Sequence, residues 1–312
     1  MADTDKNPEI YKDKQPFLSL VKIIAIVGAA YFISSTFAYL LLEAYNIEAS
    51  QVLAAYKSPF DYPEMKSFFM AAQAITSLLL FIIAPLFYLY VIEKKSVGSL
   101  NVKGTANWIP FALTALIMLT SMVALEFVIR WNENINLPAF LDGFEQWARE
   151  EEEMRKEITQ FLTQFNSITE FLLGMVVIAL IAAIGEELLF RGLIQNKVHA
   201  ISGNIHLAIW TTALLFSLFH LQFFGLFPRL LLGVLFGYIY YWSKNLWIPI
   251  FAHFVNNGLG ISLLYLHQLK YTDENLAETT SLPFTATVAA LLILSGLIVS
   301  FRNYYKGKYL IG

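Results

Sequence analysis

The chain has 312 residues, of which 57% are hydrophobic and 14% charged, and its mean hydropathy is positive at +0.57. It carries too little polar surface for an ordinary soluble domain and is expected to be a polytopic membrane protein. The net charge of −3 indicates no polyanionic partner such as nucleic acid, and the lack of cysteine excludes disulfides and thiolate catalysis.

Apolar windows long enough to cross a hydrocarbon core of about 30 Å occur eight times along the chain. The first window is longer than the apolar part of a signal peptide and has no clear cleavage site, so we expect it to remain as helix one. We predict eight membrane helices, two of them short. Their approximate ranges are 18–45, 67–92, 108–129, 171–190, 205–223, 229–243, 246–266 and 284–301.

Charged residues between these windows predict an orientation. One set of connections and both chain ends carry the basic residues, and the other connections carry acidic ones. By the positive-inside rule both termini are expected in the cytoplasm, which eight crossings allow. The basic residues are Lys6, Lys12, Lys14, Lys94, Lys95, Lys103, Lys197, Lys244, Arg302, Lys306 and Lys308; the acidic ones are Glu48, Asp61, Glu64, Glu150 to Glu153, Asp273, Glu274 and Glu278.

The long polar connection 131–166 has apolar residues at alternating spacings of three and four, interrupted at Glu151. This pattern predicts an amphipathic helix. We interpret it as a helix on the outer membrane interface, with a lid or substrate-guiding element as the alternative. The apolar positions are Phe140, Phe144, Trp147, Met154, Ile158, Phe161 and Phe165.

The stretch AAIGEELLFRG, residues 182–192, places two glutamates and an arginine inside an apolar window. Ionised carboxylates at bilayer depth cost several kcal/mol each, roughly, so they indicate a site or an ion-pair network. Glu187 and Arg191 are four residues apart and can pair. Glu186 lies about 100° around the helix and can face elsewhere.

Two histidines lie in the following apolar windows: His220 ends FSLFH, and His253 begins HFVNN. His253 and Asn257 share a helix face because they are four residues apart, which favours Asn257 over Asn256 as its partner. Counting residues from the turn at 202–204 and from the predicted helix ends places Glu186, His220 and His253 at similar depth. Gly225 and Pro228 then indicate a broken helix after His220.

Such groups suit peptide hydrolysis, which needs a water, a base to activate it and donors for the developing oxyanion. Alternatively, Glu186, His220 and His253 could bind a divalent metal such as zinc that activates the water. The sequence leaves both mechanisms open. It contains no HExxH, GxGD or GxSxG motif, and Ser262 has weak context for a nucleophile.

The ordered set EExxxR, FxxxH and HxxxN resembles the CPBP family, which comprises type II CAAX prenyl endopeptidases and bacterial relatives linked to bacteriocin processing and self-immunity. The resemblance covers about residues 170–262. It implies a glutamate-dependent intramembrane endopeptidase in which Glu186 is the general base, His220 binds and polarises the water, and His253 with Asn257 forms the oxyanion site. Supporting roles fall to Glu187 and Arg191, and Phe216 is expected to be a packing residue.

These expectations describe an all-α, polytopic membrane helix bundle of about eight transmembrane helices plus one amphipathic interfacial helix. Residues 1–170 would hold helices one to three and the amphipathic helix, and residues 171–312 the motif-bearing helices four to seven and helix eight, within a single integral membrane domain. We expect a bacterial cytoplasmic membrane location and no required cofactor.

The expected partners are membrane lipid and a peptide or membrane-protein substrate, lipidated or not, that is cut near the cytoplasmic leaflet. The alternative is a non-catalytic immunity or scaffold protein that uses the same polar cavity for binding. A transporter is a more distant alternative, because ionisable groups in a bundle also mark ion pathways.

Overall fold

The computed structural model describes residues 13–101, 107–271 and 282–310, with side chains to 307, and its regular structure is helical apart from a single Asn101–Asn245 bridge. Short 3-10 turns link the longer helices. In the described ranges the longer helices are α1 (Pro16–Tyr45), α2 (Ala49–Lys57), α3 (Pro63–Ile92), α4 (Ile109–Glu133), α5 (Asp142–Thr163), α6 (Ile168–Ser202), α7 (Ile205–Phe219), α8 (Leu226–Ser243), α9 (Trp247–Gln268) and α10 (Phe284–Leu310).

Seven of the described helices are long and apolar enough to cross a membrane: α1, α3, α4, α6, α9, α10, and α8 with the turn before it. The remaining predicted span, 205–223, corresponds to α7, an apolar helix of 15 residues that is shorter than a usual span. The all-α membrane bundle is thus confirmed, and the chain is an integral membrane protein. The division at residue 170 stays a prediction.

Helix α6 is longer than the predicted window 171–190. It runs on to Ser202 because Asn196 and Lys197 are buried and bonded rather than exposed to lipid. Asn196 donates to the Gly192 carbonyl, and Lys197 pairs with acidic side chains. Two π-helical segments, Met175–Ile181 and Leu188–Gln195, flank the α-helical turn that carries both glutamates.

The amphipathic helix predicted in 131–166 is α5, which begins at Asp142. Its C-terminal part is buried against α3 and α6, with Phe161 3% exposed, whereas Phe140, just before α5, is 83% exposed. Near its middle, the guanidinium of Arg149 lies 3.9 Å from the ring centre of Phe224. The helix therefore lies over the connection between α7 and α8, and both predicted roles remain open.

Ion pairs join several helix ends at one end of the bundle. Lys197, near the end of α6, pairs with Asp13 before α1 and with Glu93 after α3. At the same end, the Asn101–Asn245 bridge joins the segments before α4 and α9. The basic positions Lys14, Lys94, Lys95, Lys197 and Lys244 adjoin these contacts.

Some residues used for the orientation prediction lie outside the described residues: Lys6, Lys12, Lys103, Asp273, Glu274, Glu278 and the side chain of Lys308.

Two apolar clusters are the largest of those in the described part of the chain. One joins α1, α3 and α6 and includes Leu188 and Phe216; the other joins α4, α8, α9 and α10 and includes Phe236 and Ala252. A Cβ atom at Gly185 would lie 2.5 Å from the Cβ of Phe81, so glycine is required where α6 crosses α3. This close crossing lies within the first cluster, directly beside the glutamate pair.

Candidate active site

The connection between α7 and α8 positions His220. Helix α7 ends at Phe219, Leu221 has a left-handed backbone with φ of 51°, and a 3-10 turn at Phe223–Gly225 leads into α8. The Nδ1 of His220 lies 2.9 Å from the Phe216 carbonyl oxygen, which can only accept. This contact assigns the proton to Nδ1 and leaves the Nε2 lone pair free.

Buried polar groups satisfy the backbone of this broken segment. Asn132 of α4 donates to the Phe223 carbonyl at 3.2 Å and accepts from the Phe227 amide at 2.9 Å. Glu152 of α5 accepts from the Phe224 amide at 2.9 Å. Irregular backbone is thereby held at membrane depth by protein, which is the condition under which it is tolerated.

Glu186 lies between the two predicted histidines. Its Oε2 is 3.9 Å from the Nε2 of His220 and 3.9 Å from the Nε2 of His253. Among the described residues this oxygen has no hydrogen-bond partner. Each separation is shorter than two hydrogen bonds of about 2.8 Å placed end to end, so one water could contact the carboxylate and an imidazole together.

Glu187 faces away from this point and into a buried network. Its Oε1 accepts from Arg191 Nη1 at 2.7 Å and lies 2.9 Å from His253 Nδ1, and both Glu187 and Arg191 are 0% exposed. Arg191 also donates to the Gly233 carbonyl of α8 at 2.9 Å. One carboxylate thus fixes an imidazole from α9, while its arginine partner holds α8 in place.

Aromatic rings hold the histidines in position. Phe216 is 3% exposed, and its ring centre lies 5.0 Å from that of His220 and 6.0 Å from that of His253. The His253 ring stacks on Phe236 at 5.1 Å. The Arg191 guanidinium lies 4.6 Å from the Phe216 ring centre, an arrangement that favours a buried cation. Phe216 packs as expected and contacts both imidazoles.

Asn257 lies in the same cavity wall as His253 but uses its side chain elsewhere as well. Its Nδ2 donates to the Ile178 carbonyl at 3.4 Å, and its Oδ1 accepts from Asn256 Nδ2 at 3.1 Å. Asn256 also lines the cavity. The long bond to Ile178 leaves the amide of Asn257 weakly engaged, so its role at the oxyanion stays a prediction.

Glu186, Phe216, His220, His253 and Asn257 line a cavity of about 440 Å³, within the usual range for ligand pockets, whereas the predicted supporting residues Glu187 and Arg191 do not. Three charged residues in its wall were not predicted as site residues: Arg229 of α8, Glu133 of α4 and Glu152 of α5. The signal for Arg229 was present, because an arginine directly follows Pro228 in an otherwise apolar stretch. The two glutamates carry no motif.

The positions of Glu186, His220 and His253 can be compared with those of the ligands in a zinc site. Within the described ranges, no group of three or more His, Asp or Glu side chains is arranged to hold a metal ion. Ligand atoms on one tetrahedral zinc lie about 3.4 Å apart, from bonds of about 2.0–2.2 Å. The Glu186–imidazole separations of 3.9 Å exceed that spacing.

Comparisons with known proteins locate a family in this part of the chain. Residues 168–259 match the family model described as "Type II CAAX prenyl endopeptidase Rce1-like". Residues 168–259 are therefore similar to that family, and we call them the Rce1-like segment. The resemblance expected over about residues 170–262 is confirmed, and the match supports an intramembrane protease of the CAAX type at the level of the family.

A curated relative also matches. The uncharacterized protein YpbD of Bacillus subtilis (strain 168) is 29% identical over 85 residues, which are 26% of this chain and 40% of YpbD. The match thus spans less than half of that relative's length. No solved structure matches the chain significantly.

The Rce1-like segment contains every site residue that the motifs predicted, because Glu186, His220, His253 and Asn257 all lie within it. Helices outside the segment complete the cavity, since Glu133 belongs to α4 and Glu152 to α5. The Rce1-like segment therefore supplies the candidate chemistry, and the preceding helices supply part of the wall.

Proposed function

We propose that the chain is an intramembrane endopeptidase that hydrolyses a peptide bond with a water activated by Glu186. The observation that carries this proposal is the position of the Glu186 carboxylate, 3.9 Å from the Nε2 atoms of both His220 and His253 and lining a cavity of about 440 Å³. A base, two imidazoles and room for a peptide segment occur together there.

In the proposed reaction, Glu186 accepts a proton from water while the water oxygen attacks the scissile carbonyl carbon. His220 orients this water through its free Nε2, which accepts the second water hydrogen. The Glu186 proton then passes to the leaving amine as the carbon–nitrogen bond breaks, which yields a carboxylic acid and an amine and returns Glu186 to its carboxylate form.

Donors from α9 would stabilise the oxyanion of the tetrahedral intermediate. Asn257 can donate from its amide, and His253 can donate from Nε2 when that nitrogen carries a proton. The contact between His253 Nδ1 and Glu187 Oε1 at 2.9 Å fixes the orientation of the imidazole, whose Nε2 lies on the side of Glu186. Glu187 and Arg191 are positioning residues in this scheme.

Substrate and location follow from the membrane setting. We propose that the substrate is a peptide or membrane protein, lipidated or not, cut near the cytoplasmic leaflet with both termini of the chain in the cytoplasm. Because the chain has no cysteine, Ser96→Cys and Glu153→Cys each introduce a unique thiol. An impermeant maleimide should label only Glu153→Cys in intact cells, and labelling of Ser96→Cys instead would reverse the orientation.

Cleavage of a quenched peptide library by detergent-purified protein tests the function. We expect Glu186→Gln and His220→Ala to lower turnover by about 100-fold or more each. The matched control is Glu153→Gln, an exposed glutamate of α5 that should cleave like wild type.

Each variant is assayed with and without chelator. Activity that survives chelation supports the metal-free mechanism, whereas loss that zinc restores would support the metal-activated one. If wild type cleaves no better than Glu186→Gln across peptides with and without a prenyl group, the endopeptidase proposal fails in favour of a binding or immunity role.

A further inference from the structure

Among the described residues that line the candidate active-site cavity, Arg229 is the one arginine or lysine, and it shares the wall with Glu186, His220, Glu133 and Glu152. It is half-buried, and within the described part of the chain no carboxylate lies within 4 Å of its guanidinium. A cation in a membrane-spanning helix without a direct ion-pair partner is costly and marks a functional position.

Local contacts hold this guanidinium in one place. Arg229 donates from Nη2 to the side-chain oxygen of Gln222 and from Nη1, at 3.4 Å, to the Gly225 carbonyl. A Cβ atom at Gly225 would lie 2.9 Å from Nη1, so the guanidinium packs over a glycine. Because arginine has five N–H donors, the described contacts leave three available to a ligand.

The ligand chemistry follows from the fork of donors and the charges around it. A guanidinium binds a carboxylate through two parallel hydrogen bonds. Elsewhere on the wall, Glu133, Glu152 and Glu186 repel a carboxylate, so Arg229 is the position in the cavity that attracts a substrate carboxylate most strongly.

We propose that Arg229 binds a carboxylate of the peptide substrate and thereby determines which peptide bond lies at Glu186. This inference rests on the proposed function and adds a specificity determinant to it. The carboxylate is either the C-terminal α-carboxylate or an acidic side chain, and both present the same two oxygens.

Paired peptides distinguish the two sources. In the first pair, two peptides share one cleavable sequence and differ only in a free or an amidated C-terminus. In a second series all peptides are amidated, and each pair has Glu or Gln at one position, which is moved along the sequence. With wild type we expect one carboxylate form to have a kcat/KM about ten- to a hundredfold above its neutral partner. The pair that shows the ratio identifies the source.

Arg229→Gln should reduce that ratio to near one, mainly through KM for the carboxylate peptide, while the neutral peptide keeps its wild-type kcat/KM. Arg229→Lys should keep an intermediate ratio because it retains charge without the fork. The matched control is Arg302→Gln, an exposed arginine near the end of α10, which should leave the ratio unchanged.

An equal loss for both members of each pair in Arg229→Gln would overturn the inference, since it would mean that Arg229 only supports the turn. A wild-type ratio near one in every pair would overturn it as well.

Binding of the same peptides to Glu186→Gln separates this inference from the proposed function. We expect Glu186→Gln to bind the carboxylate peptide more tightly than the neutral one, and the double variant Glu186→Gln, Arg229→Gln to bind both equally. This result supports the Arg229 assignment even if wild type cleaves nothing. Equal binding of carboxylate and neutral peptides to Glu186→Gln would overturn it even if wild type is an active peptidase.

Discussion

The two adjacent glutamates occupy different surroundings, and this difference separates their roles. The Oε2 of Glu186 faces the cavity and two imidazole Nε2 atoms without a bonded partner among the described residues. Glu187 is fully buried and contacts Arg191 and His253. The Glu186 carboxylate is therefore available to a substrate, and the Glu187 carboxylate holds Arg191 and His253 in place.

Glu187→Gln should destabilise the protein strongly, because it leaves Arg191 buried without its counter-ion. Removing one partner of a buried pair costs about 3–5 kcal/mol. The measurement is thermal unfolding in detergent. Adding Arg191→Met to Glu187→Gln should restore part of the stability, since both charges are then absent. A double variant less stable than Glu187→Gln alone would contradict this account.

At the residue scale, the spacing of Glu187 and Arg191 predicted their pairing, because both lie on one helix. The contact between His253 and Glu187 could not be predicted, since it depends on how α9 is rotated against α6. The π-helical segments Met175–Ile181 and Leu188–Gln195 also change side-chain directions from those of a regular α-helix.

Among the helices, the broken segment between α7 and α8 depends most on its neighbours. Asn132 binds both the Phe223 carbonyl and the Phe227 amide, so a single side chain satisfies two backbone groups of the break. His220 directly precedes this segment. Its position relative to Glu186 therefore depends on a residue of α4.

Asn132→Ala should lower stability by about 2–6 kcal/mol, because two backbone groups lose their partner and such groups cost about 1–3 kcal/mol each. Peptide cleavage should fall as His220 moves from Glu186. Denaturant unfolding and turnover measure the two effects. Asn134→Ala, an exposed neighbour that donates only to the Arg130 carbonyl, is the matched control. Equal stability of the two variants would refute the role of Asn132.

Gly225 and Pro228 predicted the break itself, because both residues interrupt helices. Its partners were not predictable, since Asn132 lies 91 residues before Phe223 and Glu152 lies 72 residues before Phe224 in the chain. Contacts over such separations leave no periodic signal. Glycine and proline thus indicated where the backbone becomes irregular, and only the packed structure identifies what stabilises it.

Across the whole molecule, Lys197 joins three segments by pairing with Asp13 and Glu93. Partial burial on its own raises the pKa of the Asp13 carboxyl, but hydrogen bonds from Lys197 and Ser19 outweigh it and lower this pKa from 3.8 to about 2. Burial alone would raise the pKa of the Glu93 carboxyl as well, but the hydrogen bond and the charge of Lys197 lower it. This cluster is thus most stabilising when both carboxyls are ionised.

A carboxyl with a lowered pKa in the folded state stabilises that state above its unfolded pKa and loses this contribution as the pH falls through its folded pKa. The stability difference between wild type and Asp13→Asn should be constant above about pH 5 and vanish between about pH 4 and 2. Denaturant unfolding at a series of pH values measures it. The exposed Asp61→Asn should show a much smaller difference, and a difference for Asp13→Asn that grows at low pH would contradict the assignment.

The bundle as a whole was largely predictable, because long apolar windows leave few alternatives to membrane helices. The extension of α6 to Ser202 was not, since Asn196 and Lys197 are polar and only their buried partners make a helix favourable there. The apolar windows therefore predicted the membrane helices approximately, and buried polar contacts determined where α6 ends.

The shortness of α7 has a consequence for the surrounding lipid. Its 15 residues cover about 22 Å at the helical rise, roughly 8 Å less than a typical hydrocarbon core. Such hydrophobic mismatch is relieved by local bilayer thinning. We expect headgroups and water to reach deeper beside α7 than around the long helix α1, which shortens the distance that a polar substrate must travel through acyl chains.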